Sequence, residues 1–265
     1  MPQLIHPELS YAVRGAMIDV YNALGPMLRE EFYENAIAIA LAKRGIRCQT
    51  QKEFIVCYEG AQVGQYYVDV WIEDGKILFE LKVCPAIETI HQAQAISYLK
   101  VTNADLAIVA NFGSASFEDQ RLPNRLRDKR PEFNWQAASF ASDWLYPKLT
   151  DALLCVCHRV HFVLGSGFLH QVYRRAMRIE LARSGLAYEY IKQISIEYEN
   201  ELLGYQDARL ILVENKILLA TFALREMDES LAQLLKARMR RLGIKLGMLA
   251  NFHGTRLVTM PVRIE

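Results

Sequence analysis

The stretch Val63–Val83, VGQYYVDVWIEDGKILFELKV, decides the fold of this chain. Asp74-Gly75 separates two runs rich in β-branched and aromatic residues, the strongest short-range signal for a two-residue hairpin turn. Counting outward from that turn sets Glu73 against Lys76, Trp71 against Leu78, Asp69 against Glu80 and Tyr67 against Lys82. Side chains alternate along a strand, so Tyr67, Asp69, Glu80 and Lys82 share one face, together with Trp71 and Leu78. Val68, Val70, Ile72, Ile77, Phe79 and Leu81 form the opposite face, which is apolar throughout and reads as core.

Two carboxylates directly opposed on a sheet repel and ask for a compensating cation. Asp and Glu are also poor mid-strand residues unless a site needs them. A divalent metal answers both points: Asp69 and Glu80 offer hard oxygen ligands, with water and phosphate oxygens completing the shell of Mg²⁺ or Mn²⁺. Lys82, two residues beyond Glu80, is placed to orient or deprotonate an attacking water and to offset developing charge. The competing reading is a solvated hairpin surface on which Lys82 alone neutralises the acids.

Working outward, the residues before the hairpin read as a helix over 8–23, a loop at Gly25-Pro26, and a second helix over 28–44 stopped at Gly45. IRCQTQKEFIVCYEG follows as a strand ending in the turn at Glu59-Gly60, and after the hairpin HQAQAISYLKV reads as a helix and LAIVANF as a buried strand. The order ααβββαβ predicts an α/β unit with a mixed central sheet flanked by helices. Sliding the chain by 140 positions superposes it on itself without a gap: Tyr33 falls on Tyr173, Gly45 on Gly185, Lys76-Ile77-Leu78 on Lys216-Ile217-Leu218, and Ala110-Asn111-Phe112 on Ala250-Asn251-Phe252. The expected organisation is therefore two tandem copies, 1–120 and 149–265, joined by a connection over 121–148. The aromatic residues Trp135, Phe140, Trp144 and Tyr146 in that connection predict that part of it packs down.

Composition agrees with such a protein. The 265 residues are 52% hydrophobic, enough for two packed cores, and 31 Lys plus Arg against 30 Asp plus Glu leave a net charge of +1. No global field advertises a polyanion, so a charged partner must meet a local patch. The five cysteines are scattered and odd in number, which predicts reduced thiols in a cytoplasmic protein. No apolar run is long enough to span a bilayer, and no membrane association is expected.

The hairpin resembles the PD-(D/E)xK nuclease superfamily, with Asp69 as the lone acid and Glu80-Leu81-Lys82 as the (D/E)xK element. A larger part of the first copy is similar to one member family, the GxxExxY proteins, through LGPMLREEFYENAIAIAL, the hairpin, HQAQAISYLK and ADLAIVANFG. The motif's leading Gly is replaced by Met27, while Glu30 and Tyr33 keep their places. The resemblance implies a restriction-endonuclease-like fold and a nuclease with Asp69 and Glu80 as metal ligands, Lys82 as the catalytic lysine, Glu30 as a helix-borne acid near the metal, and Gln94 as the helix residue orienting the site. An acid in a first helical turn is also favoured by the helix dipole, so Glu30 has a structural reason to be there as well. His91 is a candidate phosphate contact or a polar helix-start residue.

The same register shows what the second copy lacks: Glu30 maps to His170, Asp69 to Arg209, Glu80 to Ala220, Lys82 to Phe222 and Gln94 to Leu234. Asp207 lies two residues from the matching position and has no acid or lysine to complete a site. Residues 149–265 are thus expected to be an inactive pseudo-domain. Cys155, Cys157, His158 and His161 include metal-ligand types, but Leu153, Cys157, Val160 and Leu164 form an apolar helical stripe, which is the stronger reading. Two basic clusters stand out: Arg121, Arg125, Arg127, Lys129 and Arg130 in the connection, and Lys236, Arg238, Arg240, Arg241 and Lys245 late in the second copy. Among them Arg125, Arg127, Lys236, Arg240 and Arg241, with His91, are candidate nucleic-acid contacts.

The expected activity is Mg²⁺-dependent hydrolysis of nucleic-acid phosphodiesters, DNA being the first choice. One site per chain predicts nicking, with a homodimer as the route to cutting both strands. The alternative is a non-catalytic nucleic-acid or protein interaction scaffold that keeps the fold; chemistry on another phosphate ester is a weaker third.

Overall fold

A computed structural model describes residues 5–127, 132–199 and 201–264, and the chain divides into two compact units. In unit one, α1 (Pro7–Leu24) begins with Pro at its first turn, where a missing N–H costs nothing, and ends at Gly25. The second helix, α2, spans Glu30–Ala42 and starts two residues later than the sequence suggests. The Met27 N–H is given to the Phe112 carbonyl, and the Leu28 N–H to the Tyr33 hydroxyl, so these residues bond outside any helix.

The strands β1 (Cys48–Tyr58), β2 (Ala61–Ile72), β3 (Ile77–Lys82), β4 (Leu106–Asn111) and β5 (Glu118–Pro123) lie in that order in one sheet. β2 and β3 are antiparallel, β3 and β4 parallel, β4 and β5 antiparallel. The parallel pair is joined through α3 (Thr89–Thr102), which packs on β4 and β5. Val13, Met17, Tyr33, Ile37, Val70, Ile72, Ile77, Phe79 and Leu81 form one core between α1, α2 and the sheet. Val68 is buried but outside that core, unlike the expectation that it shares the face of Val70 and Ile72. At the hairpin, Asp74 and Gly75 both have positive φ, as a type I′ turn requires, and the Lys76 N–H returns to the Glu73 carbonyl. A side chain at position 75 would meet the Trp71 ring at 2.5 Å, so Gly75 is also fixed by packing.

Unit two repeats the plan with α4 (Pro147–Leu164), α5 (His170–Arg183), β6 (Tyr188–Tyr198), β7 (Glu201–Val213), β8 (Ile217–Phe222), α6 (Glu229–Leu242), β9 (Leu246–Asn251) and β10 (Val258–Arg263). Its sheet order is β10-β9-β8-β7-β6. The fifth strand of each unit is absent from the expected ααβββαβ order; β5, EDQRLP, carries Arg121 in a strand that the sequence reading assigns to the connection. The aromatic part of the connection packs on α4: the Trp135 indole and the Ala138 N–H both donate to Asp151, and Trp144 donates to Thr150.

The repeat is not gapless in three dimensions. β2 has 12 residues and β7 has 13. In unit one Ile72 pairs with Ile77, Trp71 with Leu78 and Val70 with Phe79. In unit two Val213 pairs with Ile217, Leu212 with Leu218 and Ile211 with Leu219, which shortens the turn by one residue. β7 bulges twice against β6, between Ile191 and Gln193, where Arg209 has φ 52°, and between Ile196 and Glu197.

Candidate active site

The β2–β3 ladder stops at Val70↔Phe79, although β2 runs back to Ala61. Beyond that point the strands part, and the Asp69 carboxylate enters the seam: its Oδ2 accepts the Leu81 backbone N–H at 2.7 Å. Asp69 therefore takes the place of the strand partner that β3 loses, and does not stand square against Glu80 as simple alternation predicts. The same divergence displaces Tyr67. Its side chain is exposed, its hydroxyl accepting from Gln65 and donating to Glu53. Tyr66 replaces it, donating to Glu80 Oε2 at 2.6 Å and stacking on Tyr98 of α3 with ring centroids 3.7 Å apart.

Glu80 is 4% exposed and holds the Lys82 ammonium on its other oxygen at 2.7 Å. The buried carboxylate thus has a phenol on one oxygen and a cation on the other. Burial first, and the Glu80 charge second, push the Asp69 carboxyl up to about 8, against the pull of the Leu81 N–H and Lys82. Burial opposes the Lys82 charge, but Glu80, by its charge and its hydrogen bond, and then Asp69 raise the ammonium above its ordinary range. Burial, with Glu80 next, drives the Tyr66 phenol well upward, which keeps it a donor.

Glu30 opens α2 and faces the same site, where its charge acts on both Asp69 and Lys82. A cleft of ≈ 500 Å³ is lined by Glu30, Glu31, Glu34, Thr50, Gln51 and Asp69. Glu34, one turn after Glu30, was not among the sequence-based candidates; the i, i+4 spacing of two acids is the signal that points to it. Burial, and then Glu31 and Glu30, raise its carboxyl despite a 2.8 Å hydrogen bond from Gln51.

Gln94 sits on α3 one turn before Tyr98, on the helix face that Tyr98 presents to Tyr66. His91 closes a capping box with Glu88, accepting the Glu88 N–H on Nδ1 at 3.1 Å. In the first basic cluster, Arg125 is exposed, whereas Arg121 is committed to the Ile5 carbonyl and the Ser10 hydroxyl. Lys129, Arg130 and the side chain of Arg127 lie outside the described residues. In the second, Arg238 donates to the Ala208 and Asp207 carbonyls, Arg241 reaches the Ser195 carbonyl, Arg240 is exposed and Lys236 half-buried.

Among the described residues no group of three or more His, Cys, Asp and Glu side chains converges as a metal cage, which includes the Cys155–His161 stretch. Cys157 is wholly buried in the apolar stripe of α4, and all five cysteines are free. Asp69 and Glu80 supply oxygen only, and burial and the Glu80 charge raise Asp69 in spite of the Leu81 N–H and Lys82, so one lysine does not fully offset the pair. That donor chemistry fits a hard dication that keeps much of its water shell and takes only one or two protein carboxylates.

In unit two the β7–β8 ladder runs from Val213↔Ile217 to Ile211↔Leu219, and the next residues on the two strands, Leu210 and Ala220, are both buried and apolar. Asp207 is half exposed, bound to Arg209 at 2.8 Å and to Gln193. What the units share is framework. Asn111 brackets Cys84 through its N–H and carbonyl and also takes the Gly113 N–H, and Asn251 does the same for Leu224 and His253. Tyr33 packs on Phe112 at 4.5 Å and Tyr173 on Phe252 at 4.6 Å.

A family model described as the PD-(D/E)XK nuclease superfamily matches residues 7–122 and, separately, residues 147–263. No curated protein and no solved structure matches the chain.

Proposed function

The chain belongs to the PD-(D/E)XK nuclease superfamily in both of its units, and on that premise we propose that unit one hydrolyses nucleic-acid phosphodiesters with Mg²⁺ or Mn²⁺, as a GxxExxY-type member. The observation that carries this reading is the convergence of Asp69, Glu80 and Lys82 where β2 leaves β3. Asp69 and Glu80 are the residues to hold the metal, which when bound supplies Lewis-acid polarisation of the phosphate and a more acidic water. Tyr66, held by Tyr98, fixes the Glu80 carboxylate so that its orientation costs no reorganisation during the reaction.

Lys82 remains an ammonium under the pull of Glu80. A charged lysine donates hydrogen bonds and does not accept a proton, so its role is to orient the attacking water and to stabilise charge on the phosphoryl oxygens. Glu30 and Gln94 are positioning residues from opposite sides of the sheet. Arg125, Lys236, Arg240 and Arg241 are cations available to a nucleic-acid backbone, with DNA as the first substrate to try.

Support for the GxxExxY assignment comes from the motif's own geometry. Met27 has φ 70°, a conformation that glycine adopts freely, so the departure from Gly is in residue type and not in backbone. Tyr33 donates to the Gly25 carbonyl at 2.6 Å and takes the Leu28 N–H, bracing the loop that leads into Glu30. Unit two, residues 149–265 by the sequence boundary, is the inactive partner in this scheme.

The test is calorimetric titration of Mg²⁺ and Mn²⁺ into the wild type and Asp69→Ala/Glu80→Ala, with a supercoiled-plasmid nicking assay. Metal binding and nicking that both depend on the two acids support the proposal; no metal binding by the folded wild type removes it.

A further inference from the structure

The place in unit two that corresponds to the acidic cleft of unit one is also a cleft, and its charge is inverted. Arg174, Arg175, Arg178, Tyr190, Lys192 and Arg209 line a cavity of ≈ 360 Å³. By the 140-residue register these stand where Glu34, Asn35, Ala38, Thr50, Lys52 and Asp69 stand in unit one, while Glu30 and Glu31 become His170 and Gln171. Loss of a metal site requires only that the acids go. It does not require arginines to arrive.

Two features show that the cations are built in. Arg174 is only 9% exposed, and its Nε has no hydrogen-bond partner; the buried Nε of Arg178 is likewise unpartnered. Buried guanidinium donors are normally satisfied; here the Arg174 side chain bonds Tyr190, yet both arginines lining the cavity keep an unpartnered Nε, a concentration of positive charge that an anion in the cavity would match. Arg178 is also set across the Tyr190 ring, its guanidinium carbon 4.8 Å from the centroid, which fixes its plane. The second feature is the β7 bulge, whose register shift falls opposite Lys192 and whose left-handed residue is Arg209. That bulge, with Lys192 and Arg209, thus forms part of the cleft wall. The acid beside it is Asp207, which pairs with Arg209 and is half exposed. His170 feels the local field: partial burial first, then Arg174 and Arg209, hold its imidazole below the ordinary range.

We propose that this cleft is a metal-independent phosphate site that takes a backbone phosphate of a nucleic-acid strand. Planar guanidinium forks match phosphate oxygens in pairs, and a tyrosine held beneath an arginine keeps one fork pre-organised. The degenerate copy has then exchanged a site that cuts phosphodiesters for one that holds them. The inference rests on unit two alone and does not require that unit one cleave.

The experiment measures fluorescence anisotropy of a labelled single-stranded oligonucleotide on the full chain, in EDTA, over a series of salt concentrations. Cleavage is silent under these conditions, so failure of the nuclease reading and failure of this one remain distinguishable. The exposed pair Lys192→Glu/Arg209→Glu is expected to weaken binding at least tenfold and to flatten the salt slope by about 1.4, the loss of roughly two phosphate contacts. The control Lys148→Glu/Arg256→Glu makes the same change in net charge at exposed positions elsewhere in unit two. It is expected to weaken binding less than threefold, and Arg174→Lys to weaken it with the melting temperature unchanged. Equal weakening by both pairs, or unchanged affinity in Lys192→Glu/Arg209→Glu, overturns the proposal. Displacement of the oligonucleotide by inorganic phosphate at matched phosphate concentration would assign the cleft to free phosphate and overturn the backbone assignment.

Discussion

The Asp69 carboxylate accepts the backbone N–H of Leu81 at 2.7 Å, and so completes β3 at the point where β2 abandons it. One acid therefore has two duties: it terminates a strand ladder and it lines a cleft with Glu30 and Glu34. The cost is visible in its titration, raised from 3.8 to about 8 by burial and by Glu80.

That shift gives stability a definite pH dependence in the absence of divalent cations. Between the ordinary carboxylate range and about 8 the native state holds a proton that the unfolded chain has released. Stability is then full below the unfolded value and falls as pH rises, on the order of 1 kcal/mol per pH unit within the window. Melting temperatures in EDTA should decline from acid toward pH 8 and then level. Asp69→Asn should flatten the decline, and Mg²⁺ should raise the melting temperature most at the alkaline end, because binding displaces the proton. A wild-type profile that is flat across the window would contradict the assignment.

Tyr66 and Tyr98 form the support behind Glu80. Tyr66→Phe keeps the stacked ring and removes the hydroxyl donor, leaving one oxygen of a buried carboxylate unmatched. Outer partners of metal-ligating groups are generally worth about 10–100-fold in metal affinity or activity. Tyr66→Phe should lose about that much in Mg²⁺ affinity by calorimetry, with a stability loss of about 1–3 kcal/mol by denaturant unfolding. Tyr67→Phe, one residue away, should alter neither, since its hydroxyl contacts Gln65 and Glu53 at the surface.

The contrast between Tyr66 and Tyr67 also shows where sequence reading stops. The Asp74-Gly75 turn fixed the register of Ile72, Trp71 and Val70, because turn chemistry and a buried apolar face agree there. Counting onward assumed that the two strands stay paired, and only the folded sheet reveals that they part after Val70. Asp69, Glu80 and Lys82 were legible as residue types in a pattern, and Tyr66 was not, since alternation placed it with the core. β5 escaped because EDQRLP shows neither alternation nor β-branched residues and gains its structure from pairing with β4. The bulge at Arg209 escaped because an added residue in β7 is offset by a shorter turn, which leaves the linear register intact.

Met27 offers a test of the loop that positions Glu30. It is 70% exposed and holds φ 70°, a left-handed conformation that costs a non-glycine residue about 1–2 kcal/mol. Its side chain contributes little burial to offset that strain. Met27→Gly should therefore stabilise the protein by about 1 kcal/mol, less the entropy that glycine adds to the unfolded chain. Met27→Val should destabilise it, a β-branched residue being the least tolerant of that region. Chemical denaturation of the three proteins orders them, and a reversed order would mean that the loop adopts a different backbone.

The last prediction concerns the division of labour between the units. Beyond the Ile211↔Leu219 pair, β7 and β8 continue with Leu210 and Ala220, both buried, and Phe222 stands where Lys82 would. No hard oxygen ligand occupies either strand position, and the nearest acid, Asp207, is paired with Arg209 in the solvent. The full-length Asp69→Ala/Glu80→Ala protein should then have no metal-stimulated nicking above that of a metal-free control, whatever unit two binds. Its oligonucleotide affinity in EDTA should stay within threefold of wild type, because the cations of Arg174, Lys192 and Arg209 are untouched. Residual Mg²⁺-dependent cleavage in that variant would place chemistry in unit two after all. Loss of nicking together with loss of nucleic-acid binding would instead mean that the two functions share the acidic site of unit one.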